Sequence, residues 1–296
     1  MTRGARILIT GAGGQLGRAL ARAVWPDGLE VMALSRAQLD ITKAAEVAAA
    51  IEDLGPDLII NAAAYTDVGR AEINAADAFR VNCMGAHNLA EAASRRGVGL
   101  IHISTDFVFS GPGPHPETAV PNPVNRYGAS KLAGELAVIA LCPAAVVVRT
   151  AWVFDAVGPN FVTRILAQSA TAALNVVCDE VGSPTSARDL AEGLIVLADH
   201  LLAGRPVPHR IFHLVNEGQA SRLDMAQAIL DHRAGRGRSV PSLVPVSSGD
   251  LNLAVRRPDD SRLASERLQA LTGWHPRPWR EALDEVLDAL ADREDT

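Results

Sequence analysis

Aromatic residues are scarce in this 296-residue chain, at 4%. That is too few for a platform of interleaved rings that stacks on single-stranded nucleic acid. Positive charge is not in excess: 28 Lys and Arg face 34 Asp and Glu, a net charge of -6. This balance argues against a general affinity for nucleic acid or for an anionic membrane. Cysteine is also sparse, with only Cys83, Cys142 and Cys178 and no CxxC spacing. An odd, unpaired set suits reduced thiols in a cytoplasmic protein and not a disulfide framework or a zinc site. No apolar run approaches a membrane span; the longest, such as residues 144–148, are strand-sized. The first residues lead into a short strand without an apolar leader, so no signal peptide is expected.

What is present is an ordinary globular composition, 48% hydrophobic and 21% charged, in a chain long enough for one large domain or two modest ones. Short apolar strands alternate with Ala-rich helical stretches. Strands are expected at 6–10, 30–34, 57–61, 100–104 and 144–148, apolar on both faces as between two helix layers. Helices are expected at 15–24, from about Thr42 (as a cap) to Gly55, at 73–96 closed by Gly97, and at 126–141. This alternation means an α/β fold, a Rossmann-like doubly wound parallel sheet. Beyond residue 155 the rhythm loosens, with strands at 175–177 and 210–215 and helices at 187–203, 221–233, 263–272 and 279–291. The division expected is a cofactor-binding Rossmann domain over 1–154 and a smaller C-terminal substrate-binding lobe over 155–296. Segments near 175–200 and 210–216 are expected to return to the first domain.

Thr10-Gly11-Ala12-Gly13-Gly14-Gln15-Leu16-Gly17 lies between the first strand and the first helix. In a doubly wound sheet a dinucleotide's diphosphate binds there. Gly11 permits a tight turn, Gly14 lets phosphate approach the backbone, Gly17 lets helix pack on strand, and the helix N-terminus offers free N–H groups. A strand–helix turn that merely tolerates glycine is the plainer alternative. The second strand ends in Leu34-Ser35-Arg36 without the carboxylate that binds an NAD ribose. Arg36 suits a 2′-phosphate, hence NADPH with NADH tolerated, or is simply a solvated surface arginine. Asp40, beyond it, can reach the adenine side.

Tyr127-Gly-Ala-Ser-Lys131 puts Tyr and Lys four apart, on one helix face. A nearby ammonium favours the phenolate and lowers the Tyr pKa, and the same Lys can hold a cofactor ribose. Thr105, 22 residues before Tyr127, ends the fourth strand at the edge where ligands bind. By itself YxxxK occurs often on surface helices; joined to the glycine loop and Thr105 it is a more telling set.

These residues resemble the extended short-chain dehydrogenases/reductases, and further blocks resemble one family, the dTDP-4-dehydrorhamnose reductases. Asn61-Ala-Ala-Ala-Tyr-Thr-Asp-Val68, Val81-Asn82, His102-Ile-Ser-Thr-Asp-Phe-Val-Phe109 and Tyr127-Gly-Ala-Ser-Lys-Leu-Ala-Gly-Glu135 follow in its order. So do Arg149-Thr-Ala-Trp-Val-Phe154, Asp179-Glu-Val-Gly-Ser-Pro-Thr185 and Arg256-Arg-Pro-Asp-Asp-Ser-Arg-Leu263. Phe107, Phe154 and Glu180 depart from the usual Tyr, Tyr and Gln. The resemblance implies reduction of the 4-keto group of dTDP-4-dehydro-L-rhamnose to dTDP-L-rhamnose. It implies Thr105, Tyr127 and Lys131 as the catalytic set. The cofactor would lie against Gly11, Gly14, Gln15, Leu16, Gly17, Ser35, Arg36, Asp40, Ile41, Ala62, Ala63, Ala64, Tyr65, Thr66 and Asn82, besides Tyr127 and Lys131. The sugar nucleotide would meet Thr105, Asp106, Tyr127 and Trp152, with Arg257 and Arg262 as candidates for its nucleotide end or for an internal salt bridge. Segment 110–125, with five prolines, would line or gate the sugar pocket. Ala19 stands where some members carry a magnesium-binding Glu, so no metal is expected. A monomer or homodimer is expected. Three alternatives stay open: a reductase of another dTDP-4-ketohexose, such as the dihydrostreptose type; an epimerase or dehydratase of the superfamily; and a non-catalytic NADP-binding regulatory subunit.

Overall fold

The computed structural model describes residues 4–251 and 255–294. Six short apolar strands lie side by side and parallel: β1 (Arg6–Thr10), β2 (Glu30–Leu34), β3 (Leu58–Asn61), β4 (Gly99–Thr105), β5 (Ala145–Thr150) and, much later in the chain, β10 (Ile211–His213). Their order is β2-β1-β3-β4-β5-β10. The chain reverses direction across the sheet between β1 and β3, which opens a crevice at the strands' carboxyl ends.

Alternate residues of these strands serve two cores. On one face Ile7, Ile9, Ile60 and Val148 pack with α1 (Gln15–Arg22) and α8 (Ala187–Leu202). On the other, Leu8, Ile59, Leu100 and Val147 pack with α2 (Ala44–Leu54), α5 (Ala86–Arg96) and α6 (Arg126–Leu141). Both faces are covered, which is why the strands read as continuous apolar runs.

A third core holds the C-terminal lobe. β6 (Val153–Phe154) runs beside β9 (Thr185–Ser186), and β8 (Val181–Gly182) pairs with β11 (Ala220–Ser221). Phe154, Met225, Ile229 and Leu283 pack between α7 (Phe161–Ala167), α9 (Arg222–Gly235) and α11 (Trp279–Glu294). β7 (Ala173–Val177) pairs with β12 (Ser242–Val246) in a separate ribbon. Of the segments near 175–200 and 210–216 expected to return to the first domain, β7, β8 and β9 pair outside the large sheet, whereas α8 packs on it and β10 joins it. A short helix, α10 (Arg267–Thr272), packs near β10. It starts later than expected because Leu263 bridges to His115 in extended form.

Two further expectations are corrected. The helix expected over 73–96 starts at Ala75, after a separate α3 (Val68–Ile73), and runs on to Arg96 as α4 (Ala75–Phe79), a π-helical turn at Arg80–Gly85, and α5. Asn74 breaks the first junction with φ -117 and ψ 57. Thr42 does not cap α2; its hydroxyl donates to Asp40 Oδ1 at 2.8 Å, and Lys43 takes the cap position. Gly55, in the left-handed region at φ 54, closes that helix as expected. Among the described residues no helix is long and apolar enough to cross a membrane.

One buried ion pair joins α6 to the sheet. Arg149 on β5 donates from Nε and Nη2 to Glu135 at 2.9 and 2.6 Å, with the two side chains 1% and 3% exposed. The bidentate fork compensates two desolvated charges, and losing either partner strands the other. Glu135→Gln is expected to lower stability by about 3–5 kcal/mol, measured by urea unfolding; a loss below about 1 kcal/mol would show that the pair is dispensable.

Candidate active site

The crevice is a cleft of about 780 Å³ between the sheet's carboxyl edge and the C-terminal lobe. At one end is the glycine loop. Gly11 has φ 74, and a Cβ there would lie 2.5 Å from the Ala63 nitrogen, so only glycine fits. A Cβ at Gly17 would lie 2.1 Å from the Gly11 carbonyl; Gly17 serves packing and does not line the cleft. Gly14 opens α1 without a side-chain cap, leaving that helix's first N–H groups for a ligand. Gln15 lines the cleft beside it. An uncapped helix start behind an open glycine turn fits a dinucleotide diphosphate.

Leu16, Arg36, Asp40, Ile41, Ala62, Ala63, Ala64, Tyr65 and Thr66 continue along the same wall. The Arg36 side chain is 73% exposed and 3.7 Å from Asp40. Asp40 accepts from the Thr42 N–H and hydroxyl, which hold its carboxyl below its usual range. Ser35 does not line the cleft; its N–H and hydroxyl donate to Gln38. Asn82 does not line it either. From the π-helical turn its Oδ1 accepts the Tyr65 N–H at 2.8 Å. Its amide N–H groups donate to the Tyr65 carbonyl and the Ser130 hydroxyl at 3.0 and 2.9 Å. It thus ties the wall at Tyr65 to the helix that carries Tyr127. Beneath, Asn61 Oδ1 accepts from Thr10 at 2.7 Å and from the Ala63 N–H at 3.2 Å, while its amide meets His102 Nδ1 at 2.9 Å. His102 is a buried core histidine kept neutral by burial and by Lys131.

Tyr127 and Lys131 lie on the first turns of α6, whose cap Asn125 accepts the Gly128 N–H at 2.8 Å. Thr105, at the end of β4, contacts the Tyr127 hydroxyl and donates to Asp106 Oδ1 at 2.9 Å. Burial pushes the Asp106 carboxyl up to about 6, against the opposing pull of Ser261, Thr105 and Arg222. Lys131 Nζ donates to the Ile103 carbonyl at 2.6 Å, and burial brings it down to about 8. The expectation of a depressed tyrosine is corrected: burial, reinforced by the Asp106 charge, pushes Tyr127 up to about 12 despite the Thr105 contact. The phenol is held protonated. Phe107 packs edge-on at 5.7 Å between ring centroids and lines the cleft; Phe154 is wholly buried in the third core.

Trp152 forms the far wall with φ 46, a left-handed backbone that costs of the order of 1–3 kcal/mol for a bulky residue. Arg222 covers its ring at 3.3 Å from the centroid. Arg257 and Glu180 line this end too. Arg222 was not anticipated; it carries no motif, and the β8–β11 pairing alone brings it in.

Arg262 does not reach the cleft. It binds Asp260 at 2.6 and 2.8 Å, the Gly113 carbonyl at 2.9 Å and Gln219 at 2.6 Å. The proline-rich segment 110–125 also stays out of the lining. It is fastened to the C-terminal chain through Gly113 and His115 on 260–262, Glu117 on Glu266 and Arg267, and Asn125 on Arg256. It is a clamp and not a gate.

A family profile described as "RmlD substrate binding domain" matches residues 5–292. A dTDP-4-dehydrorhamnose reductase of Mycobacterium tuberculosis (strain ATCC 25618 / H37Rv) is 42% identical, over 98% of this chain and 94% of its own. The chain belongs to the dTDP-4-dehydrorhamnose reductase family. Among solved structures, a dTDP-4-dehydrorhamnose reductase of Clostridium acetobutylicum superposes with a TM-score of 0.89 at 35% identity, covering 97% of this chain and 99% of that one. The reductase of Bacillus anthracis, solved in complex with NADP, gives 0.85 at 32%, covering 98% and 99%.

In this member of the family the Trp152 wall depends on Gly182, where a Cβ would sit 2.2 Å from indole Cε2. Gly182→Ala is expected to cost about 1–3 kcal/mol by overpacking and to displace the indole in a crystal structure. An unmoved indole with unchanged stability would show that the wall has slack.

Proposed function

We propose that the protein reduces the 4-keto group of dTDP-4-dehydro-L-rhamnose to dTDP-L-rhamnose, with NADPH preferred over NADH. The observation that carries this reading is one cleft holding the open glycine turn at one end, Thr105, Tyr127 and Lys131 at its centre, and Trp152 at the other. Gly11, Gly14 and the first N–H groups of α1 would hold the cofactor diphosphate. Arg36 would hold a 2′-phosphate, residues 62–66 would flank the nicotinamide half, and Lys131 the ribose. The Bacillus anthracis relative solved with NADP supports this assignment. When bound, NADPH supplies the hydride for C4.

This chain's residues handle charge and proton. Thr105 hydrogen-bonds the keto oxygen and favours the charge that grows there. Tyr127 gives its proton to that oxygen. A phenol pushed up to about 12 stays protonated across the physiological range, as a general acid in the reductive direction requires. The Lys131 ammonium, one turn along α6 from Tyr127, would support the phenolate left behind. Asp106 and Trp152 contact the sugar.

The test is NADPH oxidation with enzymatically prepared dTDP-4-dehydro-L-rhamnose, the product identified by NMR. Turnover to dTDP-L-rhamnose is expected, with higher kcat/KM for NADPH than for NADH. NADPH binding without consumption would favour another dTDP-keto sugar or a non-catalytic role. Tyr127→Phe should lose about 10²–10⁴-fold in kcat while still binding NADPH; normal turnover would remove Tyr127 as the proton donor. Lys131, brought down to about 8, is charged below that pH and neutral above it. Reductive kcat/KM is therefore expected to be level below about pH 8 and to fall above it, because this parameter follows the free enzyme's groups. A profile unchanged through pH 10 would contradict a role for the ammonium.

A further inference from the structure

Arg18 lies in the first turn of α1, directly behind the glycine turn. Its guanidinium reaches in two directions. Nη1 donates to the Gly13 carbonyl of that turn, and Nη2 donates to the Val157 carbonyl of the C-terminal lobe at 3.2 Å. One turn further along the helix, Arg22 pairs with Asp155 at 3.1 Å. The helix that opens the cofactor end of the cleft is therefore bonded at two places to the lobe segment 155–158.

On the turn side the Arg18 bond acts on one peptide. Its carbonyl, on Gly13, is held by Arg18; its N–H, on Gly14, donates to the Gly11 carbonyl at 2.9 Å. Nothing lies within 4 Å of where a Cβ of Gly13 would stand, so no packing around that position fixes it. Glycine backbone turns readily, and the direction of this peptide decides where the neighbouring N–H groups point for a diphosphate.

On the lobe side the bond acts on a rigid loop. Asp155 Oδ1 accepts the Ala156 N–H at 2.8 Å, and Arg293 of α11 donates to the Ala156 carbonyl at 2.9 Å. The Asn160 amide donates to the carbonyls of Asp155 and Gly158 at 2.7 and 3.2 Å, and Asn160 caps α7 through the Thr163 N–H. Phe161, Arg164 and Ile165 of α7 line the cleft. A displacement at Val157 is thus carried into the wall of the lobe. Gly158, at φ 85, keeps room for the guanidinium: a Cβ there would lie 2.6 Å from Arg18 Nη2.

Building on the reductase reading, we propose that Arg18 is a positioning residue that couples the cofactor and sugar-nucleotide ends of the cleft. It sets the Gly13–Gly14 peptide for the dinucleotide and, through Val157, the placement of α7 for the second substrate. A diphosphate seated on the turn fixes the peptide that Arg18 grips, and the loop and α7 are held with it. By linkage the sugar nucleotide strengthens cofactor binding by the same factor.

Isothermal titration of NADPH, with and without saturating dTDP, measures this coupling. The wild-type protein is expected to bind NADPH about 5-fold or more tightly when dTDP is present. Arg18→Met should bring that ratio below about 2, and Arg18→Lys should restore part of it. Gly158→Ala leaves Arg18 and the turn intact but pushes the loop off the guanidinium, and should lower the ratio in the same way. A wild-type ratio near 1 with both ligands bound would overturn the proposal, as would an undiminished ratio in Gly158→Ala. So would an Arg18→Met protein that loses NADPH affinity yet keeps the ratio, since Arg18 would then be only a charge beside the phosphates. Arg18→Met decides if Gly158→Ala fails to fold. Hydrogen exchange with NADPH alone removes the dependence on the sugar: NADPH should protect the amides of 161–167 in the wild type and not in Arg18→Met, and equal protection in both would overturn the coupling. A protein that shows this protection but binds no dTDP would sink the reductase reading and leave the coupling supported.

Discussion

All six strands of the main sheet run the same way, so every one of them delivers its following loop to the same edge. That constraint governs the rest of the molecule. β1 delivers the glycine turn, β3 the alanine wall, β4 Thr105 and Asp106, and β5 Trp152. The reversal between β1 and β3 leaves the crevice into which these loops face. Parallel pairing demands crossovers, and the crossover helix α6 carries Tyr127 and Lys131 back over the same edge.

Polar groups inside the sheet layers keep those loops in register. Thr10, Asn61 and His102 join three neighbouring strands just below the glycine turn. Asn82 joins the alanine wall to α6. Arg149 and Glu135 fix α6 against β5. Such groups are costly to bury, and among the described residues His102 Nε2 and Arg149 Nη1 stay without a partner. Their benefit is specificity of position, which catalytic geometry needs at a scale of about 0.5 Å.

The C-terminal lobe closes the cleft by a different strategy. Its wall is a tryptophan in a left-handed conformation, held between a glycine and a guanidinium. Its position relative to the sheet is secured by the proline-rich segment, bonded along much of its length to residues 256–267. Strain at Trp152 persists because the surrounding contacts over-determine it.

The sequence by itself determined the parallel α/β sheet, the glycine turn, and the Thr105–Tyr127–Lys131 set, because these are local. Strand periodicity, a glycine at positive φ and an i, i+4 pair are written in adjacent residues. It showed the helix up to Arg96 but not the π-helical turn within it, since that turn, built around Asn82, answers to Tyr65 and Ser130, which lie far off in the chain. It set the Tyr127 proton too loose, because desolvation depends on what the fold places around the ring. It could leave Arg262 only as one of two alternatives, and it passed over Arg222. Tertiary structure alone decided that one arginine turns inward to the cleft and the other to a clamp: β8 pairing with β11 brings Arg222 to Glu180, while Asp260 and Gly113 hold Arg262. Of these partners only Asp260, two residues from Arg262, is near in the chain; the contacts to Glu180, Gly113 and Gln219 join residues some forty or more positions apart and leave no periodic trace in it.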